Sequence, residues 1–316
     1  MQRGRLWERD SAGCAMMRGV IQDSAGRPTP GWRDLVEGAT RLLDKAGVPS
    51  PAHDARALAA HVLGLDRLPP LATVAVDGAD ATSYAELVER RRRREPLQHL
   101  VGTTGFRYLT LAVEPGVFVP RPETEVVAQA AIDEAARLAA AGGHPVVVDL
   151  CCGAGGIALS VATEVTASRV VAVDLSLAAV ALTRRNALAA GVGALRLEQG
   201  DVREPDLLAD LAGAVDVVVS NPPYIPPDAV PVEPEVRDHD PALALYGGGP
   251  DGLDVPRAVI AAARRLLRPG GLFVMEHAEV QDAAARQLAA QAGFAEVRTI
   301  PDLAGLPRAV VGRLSP

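Results

Sequence analysis

Apolar residues recur at helical spacing through Trp32, Leu35, Val36, Ala39, Leu42 and Leu43, and the run Gly47-Val48-Pro49-Ser50-Pro51 ends that segment. A second helical stripe follows through Ala55, Leu58, Ala59, Val62 and Leu63 and stops at Gly64, and a third helix is predicted over 81–94. These three helices predict a small domain over 31–95, roughly 65 residues and close to the lower limit for an independent core. Residues 96–120 alternate short apolar runs with Gly and Pro and predict a β-hairpin or extended linker. A helix over 123–141 then opens the larger domain, 121–316. From Pro145 the pattern alternates short Val-rich runs with helical stripes, as a doubly wound parallel sheet does. Strands are predicted at 146–150, 169–174, 194–198, 215–220 and 272–276, with a final pair near 295–300 and 309–312. Helices are predicted at 156–165, 177–190, 255–267 and 280–292. Residues 1–30 carry no sustained period and read as a disordered leader or a mis-called start, since Met16 and Met17 are both available for initiation.

Two strand ends carry the chemistry. The first predicted strand turns through Cys151-Cys152-Gly153-Ala154-Gly155-Gly156 into a helix, and the second ends at Asp174. A strand, a glycine turn and a helix form a nucleotide-type cradle, because a missing Cβ lets backbone approach a ligand. No Lys-Ser/Thr follows, so this is not a phosphate-hydrolysing loop. An acid at the second strand tip accepts from both ribose hydroxyls, which suits NAD and S-adenosylmethionine alike. Gly200-Asp201 at the third strand end would flank an adenine. The competing role for Asp174, a helix N-cap, has a better candidate in Ser176.

The fourth-strand end decides between the two cofactors. It delivers Asn221-Pro222-Pro223-Tyr224, where each proline fixes its own φ and keeps the residue before it extended. Such a turn can aim the Asn221 amide and the Pro222 carbonyl at one planar amino group, with the Tyr224 ring against its face. A hydride transfer needs a proton-handling residue that this turn lacks. Methyl transfer from a sulfonium needs alignment, water exclusion and acceptors that strengthen as positive charge builds on nitrogen.

Composition narrows the partner. A net charge of −7, a pI near 5.5 and 3% aromatic residues argue against stable binding to nucleic acid. The run Arg90 to Arg94 reads as a solvated helix end, with contact to an acidic partner or ribosomal RNA as the alternative. Cys14, Cys151 and Cys152 make no disulfide framework or zinc spacing, and His144 and His277 lack ligand-spaced partners, so no metal is expected. The chain has no apolar run of membrane-spanning length, and a cytoplasmic location is the simplest reading.

Beyond the tetrapeptide, four further segments carry a specific resemblance. They are Phe118-Val119-Pro120-Arg121-Pro122-Glu123-Thr124-Glu125, Glu233-Pro234-Glu235-Val236, His239-Asp240-Pro241-Ala242-Leu243 and Gly247-Gly248-Gly249-Pro250-Asp251-Gly252-Leu253. Together with the glycine turn and Asn221 to Ile225 they resemble the PrmC/HemK family, from about Trp32 to Arg313. The Pro-Arg-Pro-Glu-Thr-Glu segment is the most specific, because adenine and guanine methyltransferases share the tetrapeptide. The resemblance implies a class I methyltransferase fold, a Rossmann-like seven-stranded sheet, with the helical domain joined by the hairpin linker. It implies transfer of a methyl group from S-adenosylmethionine to the N5 amide nitrogen of the glutamine in the Gly-Gly-Gln loop of class 1 peptide chain release factors. By motif, Cys151, Cys152, Gly153, Ala154, Gly155 and Asp174 would hold the methyl donor, with Val202 near the adenine and Asn221 reaching it. Asn221, Pro222 and Tyr224 would serve catalysis, and Asn221, Pro222, Pro223, Tyr224, Phe118 and Arg121 would meet the glutamine. The chain departs from the family at Cys151, where relatives usually carry Gly. The alternatives are an adenine or guanine methyltransferase and, less favoured, a cofactor-binding protein without catalysis.

Overall fold

The computed structural model describes residues 31–68 and 76–316, so the expectations for residues 1–30 lie outside it. The chain divides into two compact units, Met1–Gly102 and Thr103–Pro316.

The first unit contains α1 (Trp32–Lys45), α2 (Pro51–Val62), α3 (Gly78–Arg92) and α4 (Leu97–Val101). Helix α1 starts where the Asp34 carboxylate accepts the Gly31 N–H at 3.0 Å, and α3 starts where Asp77 accepts from Ala79 at 2.7 Å. Trp32, Leu35, Ala39 and Leu43 bury the predicted stripe of α1 against Ala55, Leu58 and Ala59 of α2. The Trp32 ring meets Tyr84 edge-on at 5.4 Å, and the Tyr84 hydroxyl donates to the Ala55 carbonyl at 3.0 Å. The division after Gly102 differs from the expected boundary at residue 95. Leu97, Leu100 and Val101 have helical spacing and end on a left-handed Gly102 (φ +77°), so the start of the expected linker is a helix of the first unit.

The arginine run is not simply a solvated end. Arg91 is buried, with Nε 2.7 Å from Asp54 Oδ2, and Arg94 donates to the Gly47 carbonyl at 2.8 Å. Arg90 pairs with Glu95, while Arg92 and Arg93 share Glu89.

The second unit opens with the hairpin β1 (Thr103–Phe106) and β2 (Leu109–Ala112), followed by a short 3-10 turn at Pro122–Thr124 and α5 (Glu125–Ala140). Next come β3 (Val146–Leu150), α6 (Gly156–Glu164), β4 (Arg169–Asp174), α7 (Leu177–Ala189), β5 (Arg196–Gln199) and β6 (Val215–Ser220). The short helices α8 (Pro234–His239) and α9 (Ala242–Leu245) precede α10 (Asp254–Leu266), β7 (Leu267–Glu276), α11 (Asp282–Gln291), β8 (Phe294–Pro301) and β9 (Pro307–Leu314). The seven strands are ordered β5-β4-β3-β6-β7-β9-β8, parallel except where β9 runs against β7 and β8. This is the class I methyltransferase arrangement. The central strands are Val-rich because both faces are covered: one core holds Val147, Val170 and Val217, the other Val148, Val171 and Val218. Strand β7 begins five residues earlier than the predicted 272–276, because an irregularity between Val215 and Val217 lets Leu267 pair before Pro269-Gly270.

Strand register places the chemistry. Leu150 pairs with Val173 on one side and Ser220 on the other, and Ser220 pairs with Met275. The next residues, Cys151, Asp174, Asn221 and Glu276, therefore leave neighbouring parallel strands at one level. The sheet reverses its winding between β3 and β6, where ligands of open α/β sheets bind.

Candidate active site

That edge opens into a cavity of about 470 Å³. The glycine turn forms one wall, with Gly153 at φ +56° and Gly155 at φ +87°. A Cβ at Gly153 would meet no protein atom within 4 Å, so its backbone is bare toward an approaching ligand. Cys151, Cys152, Gly153 and Ala154 line the cavity, as does Val202 after β5. Gly155, expected beside them, does not line it: a Cβ there would lie 2.8 Å from Thr183 Cγ2, so this glycine lets α6 pack on α7. Asp174 lines the cavity with both oxygens already anchored, Oδ2 accepting the Gly153 N–H and Oδ1 the Ser176 N–H, each at 2.8 Å. Ser176 caps α7 by accepting from Ala179 at 3.3 Å, which frees Asp174 from that duty. Burial pushes the Asp174 carboxyl above its ordinary value, and the backbone donors oppose it. Each anchored oxygen retains a lone pair, the acceptor set that a vicinal diol requires. Asp174→Ala is expected to weaken S-adenosylmethionine binding at least about tenfold, since charged-group hydrogen bonds are worth about 1.5–3 kcal/mol each. Unchanged binding by calorimetry would remove Asp174 from the cofactor site.

Asn221, Pro222, Pro223 and Tyr224 also line the cavity. Asn221 Nδ2 donates to Thr124 Oγ1 at 3.1 Å, which fixes the amide with its donor side engaged and leaves Oδ1 as the acceptor to offer. The tetrapeptide is held from behind. Tyr224 and Ile225 donate their N–H groups to the Leu245 carbonyl at 3.2 and 2.8 Å, and Gln281 Nε2 donates to the Tyr224 carbonyl at 2.8 Å. The Tyr224 hydroxyl donates to Glu276 Oε1 at 3.3 Å, and burial raises its pKa.

Phe118 and Arg121 also line the cavity, but the Arg121 guanidinium is committed. It lies 2.6 Å from Asp240 Oδ2 and 5.0 Å over the Phe118 ring. Burial raises the Asp240 carboxyl, and Arg121 opposes that. The pair therefore ties the Pro120-Arg121-Pro122 segment to the His239-Asp240-Pro241 segment. The sequence did not reveal Thr124 in the lining, or Asp240 and Glu276 as the partners of Arg121 and Tyr224, although the first two sit inside motifs that it displays. Among the described residues no His, Cys, Asp and Glu group is arranged for a metal, and no helix is long and apolar enough to cross a membrane. His277 is buried with Nδ1 2.9 Å from the Ala278 carbonyl.

Residues 34–102 match the PrmC N-terminal domain and residues 114–232 the methyltransferase small domain. A release factor glutamine methyltransferase of Streptomyces coelicolor is 49% identical over 280 residues, covering 87% of this chain and 95% of that one. Its Mycobacterium tuberculosis counterpart is 44% identical, covering 88% and 90%. The chain belongs to the release factor glutamine methyltransferase family. A methyltransferase of Pyrococcus furiosus superposes with a TM-score of 0.51 at 16% identity, covering 72% of this chain and all of that one, which shows the shared fold. The PrmC N-terminal match ends at Gly102, where the first compact unit ends.

Proposed function

We propose that the chain transfers a methyl group from S-adenosylmethionine to the side-chain amide nitrogen of the glutamine in the Gly-Gly-Gln loop of class 1 release factors, supporting translation termination. The observation that carries this reading is the orientation of Asn221: Thr124 occupies its donor side and its Oδ1 remains for an NH2 group. S-adenosylmethionine supplies an electrophilic methyl carbon on a sulfonium. An amide nitrogen is a poor nucleophile because its lone pair is delocalised into the carbonyl. Asn221 Oδ1 and the Pro222 carbonyl accept the two amide hydrogens, and this becomes more favourable as the C–N bond forms, the C–S bond breaks and positive charge appears on nitrogen. The surplus proton leaves the methylated nitrogen afterwards, so no strong base is required. The Tyr224 ring supports the plane of the amide, and the proline-rich wall excludes water. Gly153, Cys152 and Asp174, which line the same cavity, would hold the methyl donor.

The helical unit contributes docking energy for the folded protein substrate, and the working compartment is the cytoplasm, where release factors act. Stable nucleic-acid binding is not part of this reading: the net charge is −7 and the arginine run is paired within its own unit. Labelled S-adenosylmethionine offered in parallel with a folded release factor, its isolated Gly-Gly-Gln peptide and DNA tests it. The expected product is methylglutamine in the folded factor, strongly preferred over the peptide because remote contacts position the amide. Methylated adenine with an unlabelled release factor would overturn the proposal.

A further inference from the structure

Behind the tetrapeptide lies a buried polar group that the mechanism above does not use. Glu276 ends β7 with 3% of its surface exposed, one residue beyond the Ser220–Met275 pairing that sets it beside Asn221. Its Oε1 accepts from the Tyr224 hydroxyl at 3.3 Å, whereas Oε2 is buried with no donor on it. An acceptor with an unfilled oxygen in an enclosed site costs free energy unless a neighbouring donor turns toward it. The nearby Thr124 hydroxyl opposes the rise that burial gives this carboxyl, and Thr124 is the residue that receives Asn221 Nδ2.

We propose that Glu276 is a positioning residue that sets the direction of the hydrogen-bond chain Asn221–Thr124–Glu276, and through it which face of the Asn221 amide meets the substrate. A hydroxyl has one proton. An ionised carboxylate only accepts, so it draws the Thr124 proton toward itself and leaves a Thr124 lone pair facing Asn221. Asn221 must then present Nδ2 to Thr124, and Oδ1 is delivered to the cavity. With a donor in place of the carboxylate the chain can run the other way: Thr124 donates to Oδ1, and Asn221 offers its NH2 to an NH2, a mismatch. Tyr224 reports to the same carboxylate, so the two substrate-facing side chains of the tetrapeptide share one anchor. This inference rests on the acceptor role proposed for Asn221.

The chain also has a built-in pH response. Burial raises the Glu276 carboxyl to about 7, opposed by the Thr124 and Tyr224 hydroxyls and by Arg308 of β9, and assisted by the charge of Glu123 from the segment before α5. His277 follows it in the chain, buried and pushed below its ordinary value by that burial, so it adds no strong positive field. Below its pKa Glu276 is a neutral acid able to donate, and the imposed direction is lost.

The test is a steady-state comparison of wild type, Glu276→Gln, Thr124→Val, Thr124→Ser and the double variant Glu276→Gln/Thr124→Val, with Asn221→Ala beside them. Calorimetric binding of S-adenosylmethionine serves as the folding control. Glu276→Gln is expected to lower kcat about tenfold, with KM for the release factor and cofactor affinity within about twofold of wild type. The wild-type kcat should fall as pH is lowered through about 7, and that limb should be absent in Glu276→Gln. Thr124→Ser, which keeps the hydroxyl, should lose much less turnover than Thr124→Val. The double variant should be no slower than Thr124→Val alone, because both changes cut one chain. Independent, multiplying losses, or a Glu276→Gln enzyme with unaltered kcat and pH profile, would overturn the inference. Should Glu276→Gln not fold, the Thr124 pair and the wild-type profile decide it. If Asn221→Ala keeps its turnover, the reading of Asn221 itself fails, a result distinct from loss in Asn221→Ala with none in the other variants.

Discussion

Asn221→Ala is expected to cut turnover by about a hundredfold or more while leaving S-adenosylmethionine affinity within about twofold, the size of effect seen when one transition-state hydrogen bond is lost from a dry site. The two readouts separate because the residue touches two different things. Asn221 lines the cavity with its Nδ2 on Thr124, whereas the groups expected to hold the cofactor, Asp174 and the Gly153 backbone, are anchored to each other at 2.8 Å and do not depend on Asn221. Alanine removes the acceptor and leaves Thr124 Oγ1 without its donor, so a small part of the loss will come from a loosened Thr124. Asn221→Asp divides these effects. It keeps an acceptor toward the cavity but loses the donor to Thr124 and brings a second carboxylate toward Glu276, so its activity should fall between wild type and alanine. A cofactor-affinity loss as large as the turnover loss would place Asn221 in the cofactor site instead, and unaltered turnover would remove it from the chemistry. Single-turnover measurement with a folded release factor is the decisive format, because it excludes product release.

How much of this was legible beforehand depended on whether a feature is local. The Val-rich runs at 146–150, 169–174 and 215–220 announced strands whose bounds match the structure, since a fully buried parallel strand needs an unbroken apolar run and the turn residues beside it mark its ends. The start of β7 was not legible: Leu267 to Gly271 carries Pro and two Gly, and only pairing with Val215 across an irregularity makes it a strand. The helix Leu97–Val101 was lost for a related reason, because five residues give too short a period to outweigh the Gly-Pro pattern around them. At the site, residues expected from motif positions, Gly155 excepted, line the cavity where strand ends deliver them, but their partners were hidden. Thr124 lies 97 positions from Asn221 and Arg121 lies 119 from Asp240, so these contacts exist only once the sheet has formed. Cys151 shows the reverse case. The resemblance leads one to expect Gly at this position, but the sequence did not show what the position demands: it has φ +62°, which a side chain occupies only at a cost.

Gly252→Ala is expected to abolish most of the activity while sparing cofactor binding, with turnover down about a hundredfold, as a shift of about an ångström at the reacting groups produces. The Gly247-Gly248-Gly249-Pro250-Asp251-Gly252 loop contributes no acceptor to the site in the reading above. It is the surface against which the tetrapeptide is pressed. A Cβ on Gly252 would lie 2.3 Å from the Tyr224 carbonyl oxygen and 2.7 Å from the Pro226 nitrogen, and a Cβ on Gly247 would lie 1.9 Å from the Gly252 oxygen. These neighbours are backbone atoms and cannot rotate away, so the 224–226 segment itself must move. In moving, the Tyr224 carbonyl leaves Gln281 Nε2, which also holds the Asp251 carbonyl at 2.9 Å, and the loop and the tetrapeptide lose their common clamp. Part of the loss of stability would come from φ alone, because Gly252 sits at +73°. Gly213→Ala supplies that reference: Gly213 has φ +67°, and a Cβ there meets nothing within 4 Å. Both variants should lose stability from the left-handed backbone, on the order of 1–2 kcal/mol, but only Gly252→Ala should lose turnover. Equal activity in the two would mean that the loop does not position Tyr224, and the close packing of these backbones would then be a matter of stability alone.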